Sequence, residues 1–361
     1  MKKICFVDFD MSVTGGVEKV LESLANTFCE RYEVSVYGIN GKGKDIPYHL
    51  DKRITYHAEL QGKTRLREMI IGFFHPFCRY VKENQIDIVI MMGNYPALIA
   101  SFTRFFTKAK YIYCDHGALL SQWHQKDITA IRFWDAVTSH KVVVLTEQTR
   151  LDYMRKFRLR QNKISCIYNW IDPHLLEIKR PYDSHSKQIL TVGRFGPEKG
   201  YDLLVETAAN VLKKYPDWEW HLYGTGEVFD QIQKKVETYQ LHDQIRFMGN
   251  VPDAYTQYHK YAFLVLPSYR EGLPVVLLEA KALGLPMISF DVMTGPNEII
   301  HDGKDGFLIP PYDCDQMAEK IKDLIENPQL REELSRGTVV DLSKFEFQTI
   351  LHQWEVLLDQ C

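Results

Sequence analysis

No run of eighteen or more apolar residues occurs in the 361-residue chain, so the sequence predicts no membrane span. Its start, Met1-Lys2-Lys3 followed by a short apolar run and then Asp8 and Asp10, lacks the long apolar region and small-residue cleavage site of a secretory leader. Cysteines at 5, 29, 78, 114, 166, 314 and 361 show no C-x-x-C spacing and form no Cys/His cluster of zinc type. Several lie in apolar runs such as Ile4-Cys5-Phe6-Val7, where a thiol behaves as a small hydrophobe. A reducing, cytoplasmic setting is therefore expected. No low-complexity tract or short repeat interrupts the chain. Neither half carries a full G-x-G-x-x-G fingerprint with an acidic ribose ligand at the usual distance, which argues against a dinucleotide-dependent oxidoreductase.

What is present is the composition of a globular protein, with 45% hydrophobic, 25% charged and 12% aromatic residues. The length exceeds what one hydrophobic core usually serves, so two α/β domains are expected. Over residues 1–172, 25 Lys and Arg face 18 Asp and Glu, a net of +7; the remainder carries 19 against 29, a net of −10. A basic first half suits phosphates or an anionic membrane surface. Short β-branched or aromatic runs alternate with helical patterns throughout, the signature of βα units and a mainly parallel sheet. Strands are predicted at Ile4-Asp8, Glu33-Tyr37, Ile86-Met91, Lys110-Cys114, Val142-Leu145 and Lys163-Ile167. A polar stretch, Pro181 to Gln188, reads as a linker. Six further strands follow, at Ile189-Val192, Trp218-Tyr223, Ile245-Met248, Phe263-Pro267, Pro286-Phe290 and Gly306-Ile309. The expected division is 1–172, 173–343, and a final helix over 344–361 that returns to the first domain.

Three motifs sit at strand-to-helix junctions. Thr14-Gly15-Gly16-Val17-Glu18 offers either close backbone approach to an anion at a helix N-terminus or a tight turn needing positive φ. Gly193-Arg194-Phe195-Gly196-Pro197-Glu198-Lys199-Gly200 places a guanidinium and an ammonium five residues apart on a glycine-flanked loop. Such a pair can neutralise both phosphates of a nucleotide diphosphate, or can be two solvated cations. The third, Pro267 to Ala280, sets Glu271 and Glu279 eight positions apart around a Gly272-Leu273-Pro274 turn, with Pro274 near the first helical position. Carboxylates there can accept hydrogen bonds from sugar hydroxyls; alternatively Glu271 is a favourable N-terminal charge and Glu279 a solvated helix residue.

These motifs, in this order, resemble glycosyltransferase family 4, retaining enzymes of the GT-B fold, in which two Rossmann-like domains face each other across a cleft. Glu271 and Glu279 match the family's E-x7-E pattern, Gly193 to Gly200 its G-R-x-x-x-E-K-G pattern, and Gly15 and Gly16 its glycine pair. The resemblance implies that Arg194 and Lys199 bind the donor diphosphate, Glu271 the donor sugar and Glu279 the ribose. Gly272, Leu273 and Pro274 then form the turn offering backbone N–H groups to phosphate and sugar. Asp115-His116-Gly117 stands where family members place a His facing the transferred sugar; His116 is otherwise a structural histidine. Tyr223-Gly224-Thr225-Gly226 and Met248-Gly249-Asn250-Val251-Pro252 fit the loops lining the nucleobase and ribose pocket. Thr294-Gly295-Pro296-Asn297-Glu298 resembles a version seen in bacterial surface-polysaccharide enzymes. Asn169-Trp170 departs from the family's Asn-Gly and puts the hinge conformation there in doubt.

The expected activity is transfer of a hexose or N-acetylhexosamine from a UDP-linked sugar to a glycan or lipid-linked acceptor, in capsule, exopolysaccharide or cell-surface glycan synthesis. A nucleotide-sugar epimerase of the same fold and a silent glycan- or nucleotide-binding subunit are the alternatives. No metal, other cofactor or nucleic-acid partner is expected; Asp8-Phe9-Asp10 and Asp313-Cys314-Asp315 are read as a strand end and a helix cap. Residues 63–82 combine Lys63, Arg65, Arg67, Arg79 and Lys82 with Leu66, Met69, Ile70, Phe73, Phe74, Phe77 and Val81. That segment is either a helix lying on an anionic membrane, with support from Phe102 to Lys108, or a core-facing helix with solvated charges.

Overall fold

A computed structural model describes residues 1–13, 15–62, 65–251 and 253–361; Thr14, Lys63 and Pro252, named in the motifs above, lie outside the described residues. The chain divides into two compact units, Met1–Ile167 with Gln353–Cys361, and Tyr168–His352.

In the first unit, β1 (Lys3–Asp8), β2 (Glu33–Gly38), β3 (Thr55–Ala58), β4 (Ile88–Met92), β5 (Lys110–Asp115), β6 (Lys141–Val144) and β7 (Ile164–Cys166) form one parallel sheet. Their order is β3-β2-β1-β4-β5-β6-β7. Covered on both faces, the inner strands are continuous apolar runs, as in β4, where every residue is buried. β3 was not foreseen because Thr55-Tyr56-His57-Ala58 is a short edge strand, exposed or half-buried throughout, and no apolar run announces it. Every connection from β3 onward steps the same way along the sheet. Right-handed crossovers therefore set helices Leu66–Glu83, Asn94–Ser101, Lys126–Thr138 and Glu147–Phe157 in one layer on one face. Helix Gly16–Phe28 steps the other way and covers the opposite face, where Trp354 of the last helix (Phe347–Asp359) meets Phe28 edge-on at 5.9 Å.

Helix Leu66–Glu83 settles how its apolar stripe is used. Met69, Phe73, Phe77 and Val81 are buried in the core, and Phe73 and Phe77 pack edge-on against Tyr37 of β2 at 5.5 and 5.0 Å. Docking on a membrane through the apolar face of residues 63–82 is thereby corrected, since the sheet already covers that face.

The second unit holds β8 (Gln188–Val192), β9 (Glu219–Tyr223), β10 (Ile245–Gly249), β11 (Phe263–Leu266), β12 (Met287–Phe290) and β13 (Gly306–Ile309). They too are parallel, in the order β10-β9-β8-β11-β12-β13. Trp220 is fully buried at its centre and satisfies its indole N–H on Thr191 Oγ1 at 3.0 Å. The stretch Pro181 to Gln188 is not a linker but part of this unit: Ser186 Oγ donates to the Lys260 carbonyl at 2.6 Å and Ser184 Oγ to Glu332 at 2.7 Å. Its polar composition serves hydrogen bonds, not chain freedom. Trp170, where the family resemblance departs, packs on Phe347 at 5.2 Å, and the neighbouring Ile171 N–H donates to the Phe345 carbonyl at 2.8 Å.

Each sheet reverses its strand order once, between β1 and β4 and between β8 and β11. At such a point the loops leaving two neighbouring strands diverge, and a crevice opens beyond their carboxyl ends.

Candidate active site

The crevice of the second unit is built by the loops after β8 and β11, which are the two richest motifs of the sequence. They are drawn together by backbone geometry. Gly200 has φ +65°, and a Cβ there would stand 2.0 Å from the Pro267 carbonyl oxygen, so only glycine allows the approach. Across the same seam the Tyr269 N–H donates to the Glu198 carbonyl at 2.9 Å. Phe195 anchors the first loop from below, fully buried and stacked on Tyr201 at 3.9 Å, while the Tyr201 hydroxyl donates to the Gly193 carbonyl at 2.6 Å.

Lys199 and Glu271, 72 positions apart in sequence, are in contact: Nζ donates to Oε1 at 2.8 Å and to Oε2 at 3.0 Å. Ser268 Oγ also donates to Glu271 Oε1, at 2.7 Å. The Glu271 side chain is 7% exposed and that of Lys199 25%, so the pair is partly withdrawn from water yet reachable. Arg194, by contrast, is exposed and bonds Glu198 Oε1 at 2.7 Å. Burial pushes the Glu198 carboxyl up, but hydrogen bonds from its own N–H and from Arg194 outweigh this and hold it below its ordinary value. Both cations thus hold carboxylates that a phosphate oxygen can replace, since guanidinium and ammonium donors bind either anion.

Pro274 is the cap residue of helix Val275–Leu283, one place before the first helical position, with φ −71°. Leu273 is buried beside it and Gly272 half-buried, so the turn presents backbone to the crevice. Glu279 lies one turn into the helix, half-buried, and accepts a hydrogen bond from Tyr258 at 2.8 Å. That removes the reading of a merely solvated helix residue. The helix is fixed at its far end by Lys281 and Asp305, an ion pair with both side chains fully buried. Gly249 closes β10 with φ +71°, and its carbonyl accepts the Gly224 N–H at 2.8 Å, joining the β9 and β10 loops.

In the first unit, His116 follows β5. Asp115, 2% exposed, pairs with Arg132 Nε at 3.2 Å, accepts the Tyr153 hydroxyl at 2.6 Å and receives the Gly117 N–H at 3.0 Å. Arg132 Nη1 reaches on to the Ala118 carbonyl at 3.1 Å. A Cβ on Gly117 would stand 2.5 Å from Arg132 Nη2, so any side chain there would have to displace the guanidinium. His116 is therefore presented by a braced turn. Burial lowers its pKa to about 4, the Asp115 charge opposing, so the ring is neutral at pH 7. Its Nε2 is buried and makes no hydrogen bond among the described residues.

Gly15 and Gly16 are placed otherwise than one of their two readings required. Gly15 is extended at φ −159° and Gly16 has no positive φ, which removes the tight-turn explanation. The Gly15 N–H donates to the Tyr48 hydroxyl at 2.9 Å, and the Glu18 carboxylate lies against the space a Gly15 Cβ would take. Asp8 is buried nearby, its carboxyl pushed up to about 7 by burial and then by the Glu18 charge. This junction gathers the acids Asp8, Asp10 and Glu18, where the one in the second unit pairs each of its two cations with a carboxylate. Asp10 accepts from Ser12 and Lys44, and Asp313 caps its helix by accepting the Gln316 N–H at 2.9 Å. Among the described residues no three His, Cys, Asp or Glu side chains are placed to share a metal ion.

Ser268, Tyr258 and the Arg132–Tyr153 brace were not singled out from the sequence. Ser268 lies inside the third motif and was within reach of it; Tyr258 is brought to Glu279, and Arg132 to Asp115, only by the fold of each unit.

The chain is similar to known glycosyltransferases along its whole length. The model of Glycosyltransferase Family 4 matches residues 14–175, and that of Glycosyl transferases group 1 matches residues 177–338. An uncharacterized glycosyltransferase of Haemophilus influenzae is 27% identical over 99% of this chain and 100% of its own length. The amylovoran biosynthesis glycosyltransferase AmsD of Erwinia amylovora is 26% identical, again over 99% of this chain and 100% of its own. Among solved structures, Anabaena HepE in complex with UDP-glucose superposes with a TM-score of 0.83 at 17% identity, covering 100% of both chains. With its two doubly wound domains, each matched by a glycosyltransferase model, the chain belongs to the glycosyltransferases of family 4 and has the GT-B fold.

Proposed function

We propose that this glycosyltransferase moves a hexose or N-acetylhexosamine, with retention of anomeric configuration, from a UDP-linked donor to a growing bacterial surface glycan, free or lipid-linked. The observation that carries the reading is the Lys199–Glu271 contact at the β8/β11 crevice. It brings a cation for the diphosphate and a carboxylate for the sugar within one hydrogen bond of each other, where a nucleotide-sugar needs both. The polysaccharide role of AmsD and the UDP-glucose bound by HepE support the choice of acceptor and donor classes.

In this reading the donor diphosphate takes Lys199 from Glu271 and Arg194 from Glu198, and the two cations then carry the charge that develops on the leaving phosphate. Glu271, released, accepts hydrogen bonds from sugar hydroxyls, with Ser268 keeping its orientation. Gly272 and Leu273 supply backbone N–H groups, Pro274 starts the helix without an N–H of its own, and Glu279 binds the ribose. Gly249 belongs to the nucleobase side. In the first unit, Gly15 and Gly16 leave the backbone open to a ligand, and His116 is a neutral imidazole able to accept a hydroxyl hydrogen bond. No enzyme nucleophile stands in this set, which favours front-face displacement, the departing phosphate helping to deprotonate the acceptor. The cations supply the charge that a metal would otherwise bring, and the reaction is set at the inner face of the cell membrane.

Thermal-shift titration with a panel of nucleotide-sugars tests the donor assignment, because a ligand bound only by the folded state raises its stability by about 2.7 kcal/mol at a hundredfold excess over Kd. UDP-sugars are expected to act and other nucleotides not; a flat response to every UDP-sugar would refute it. The anomeric configuration of the product, read by NMR, tests retention.

A further inference from the structure

We infer that Tyr258 is a positioning residue for Glu279, and that the two together make the site selective for ribonucleotides over deoxyribonucleotides. Tyr258 stands in the 3-10 helix Ala254–Lys260, between β10 and β11 and beside helix Val275–Leu283. It is 1% exposed, so its hydroxyl costs free energy to bury unless the proton finds an acceptor. Phenylalanine would fill the same space without that demand. A phenol has one proton to give, and this one goes to Glu279 Oε2 at 2.8 Å.

The donor is firmly held. The Tyr261 N–H closes the 3-10 turn on the Tyr258 carbonyl at 3.1 Å, and the Tyr261 hydroxyl meets the Tyr223 hydroxyl at 2.8 Å and His221 Nδ1 at 3.1 Å. His221 Nε2 meets Glu219 at 2.9 Å in turn, which ties this cluster to the start of β9. Burial first, and then the Glu279 charge, raise the pKa of Tyr258 well above its ordinary value, so the hydroxyl keeps its proton at pH 7 and remains a donor.

A carboxylate is planar and only accepts. Fixing one oxygen therefore fixes the plane of the group and the directions in which its other lone pairs take hydrogen bonds. Glu279 is half-buried at the end of a flexible side chain, and an arriving ligand would otherwise bear the cost of ordering it. Ribose brings two neighbouring hydroxyl donors to such an acceptor, and a deoxyribose only one. A site arranged to take a hydroxyl rejects the analogue that lacks it, because its own polar group is then left without a partner. The inference rests on the reading of Glu279 as the ribose ligand and adds that this role depends on Tyr258.

Calorimetric titration of the full chain with UDP, 2′-deoxy-UDP and 3′-deoxy-UDP tests it. The parent is expected to bind UDP about tenfold or more tightly than at least one deoxy form. In Y258F, which keeps the ring, UDP should weaken by about tenfold and that deoxy form by less than about twofold, so the preference closes. The donor KM should rise by about the same tenfold while kcat changes by less than about twofold, the pattern of lost ground-state binding. In an E279A background Y258F should alter affinity by less than about twofold, since Tyr258 then has nothing to position. Glu279→Asp, which keeps the carboxylate but draws it back from the Tyr258 hydroxyl, repeats the test without a change in the core and should also narrow the preference. A preference for UDP that survives Y258F or Glu279→Asp overturns the proposal. So does a loss shared equally by UDP and both deoxy forms, which is the mark of a packing role. A parent that binds all three alike refutes the ribose reading of Glu279 and the proposal with it, whereas a preference present in the parent and kept in Y258F overturns the proposal alone.

Discussion

At the scale of single residues, the candidate site keeps its charges paired. Lys199 is held by Glu271 and Arg194 by Glu198, so in the proposed reading a donor diphosphate exchanges one anion for another and leaves no cation stranded. If Lys199 meets the leaving phosphate as proposed, turnover of Lys199→Ala with a UDP-sugar should fall by about 100-fold or more, as when another preorganised donor to transition-state charge is lost. Unchanged transfer would remove Lys199 from the mechanism. A different residue governs the pH response of the fold. Asp135 is fully buried, neither carboxyl oxygen has a hydrogen-bond partner among the described residues, and burial, then the Asp115 charge, raise its pKa to about 9. The folded state keeps a proton that the unfolded chain releases near its ordinary value. This group therefore lowers stability as pH rises between 3.8 and about 9, with a slope of about 1.4 kcal/mol per unit. Asp135→Asn cannot ionise, so urea midpoints at pH 5 and pH 8 should show the variant gaining on the parent at the higher pH. An equal difference at both values would mean that the carboxyl ionises in the fold.

Among the elements, helix Val275–Leu283 does two jobs: its entrance presents the Gly272-Leu273-Pro274 turn and its second turn carries Glu279. Its placement depends on an ion pair that no local pattern announces. Lys281 and Asp305 are fully buried, and Asp305 also accepts the His301 N–H at 2.8 Å. Lys281→Ala should cost about 3–5 kcal/mol in chemical denaturation, because it leaves a buried carboxylate without its cation. Replacing both partners by apolar residues should cost much less, and equal losses in the two variants would show that packing, not charge, is what matters there. The strands show where legibility ends. β4 and β11 are apolar throughout and were placed within two residues, whereas β3, half-exposed at an edge, left no trace in the pattern.

For the whole molecule, the chain does not finish where its second sheet does. Residues Gln353–Cys361 belong to the first unit, where Trp354, 4% exposed, covers Phe28, and Arg31 pairs with Glu355. Trp354→Ala should therefore destabilise the first unit by about 3–5 kcal/mol, the usual cost of emptying a large aromatic site. Hydrogen exchange should report the loss in helix Gly16–Phe28. Exchange unchanged in that helix would show that the last helix contributes little to the first unit.

The sequence by itself determined the α/β class, the two-domain plan and the motifs at the strand ends, because apolar period and glycine spacing are local properties that survive without a partner. It also placed Arg194, Lys199, Glu271 and Glu279 in a donor site by resemblance. Only the tertiary structure decided which of them touch. The contact between Lys199 and Glu271 depends on β8 and β11 being neighbours at the point where strand order reverses, and strand order is not written in any local pattern. The same holds for the basic first half: its helix at 66–83 reads as amphipathic either way, and only packing on the sheet shows that its apolar stripe is core while the exposed aromatics lie elsewhere in the layer.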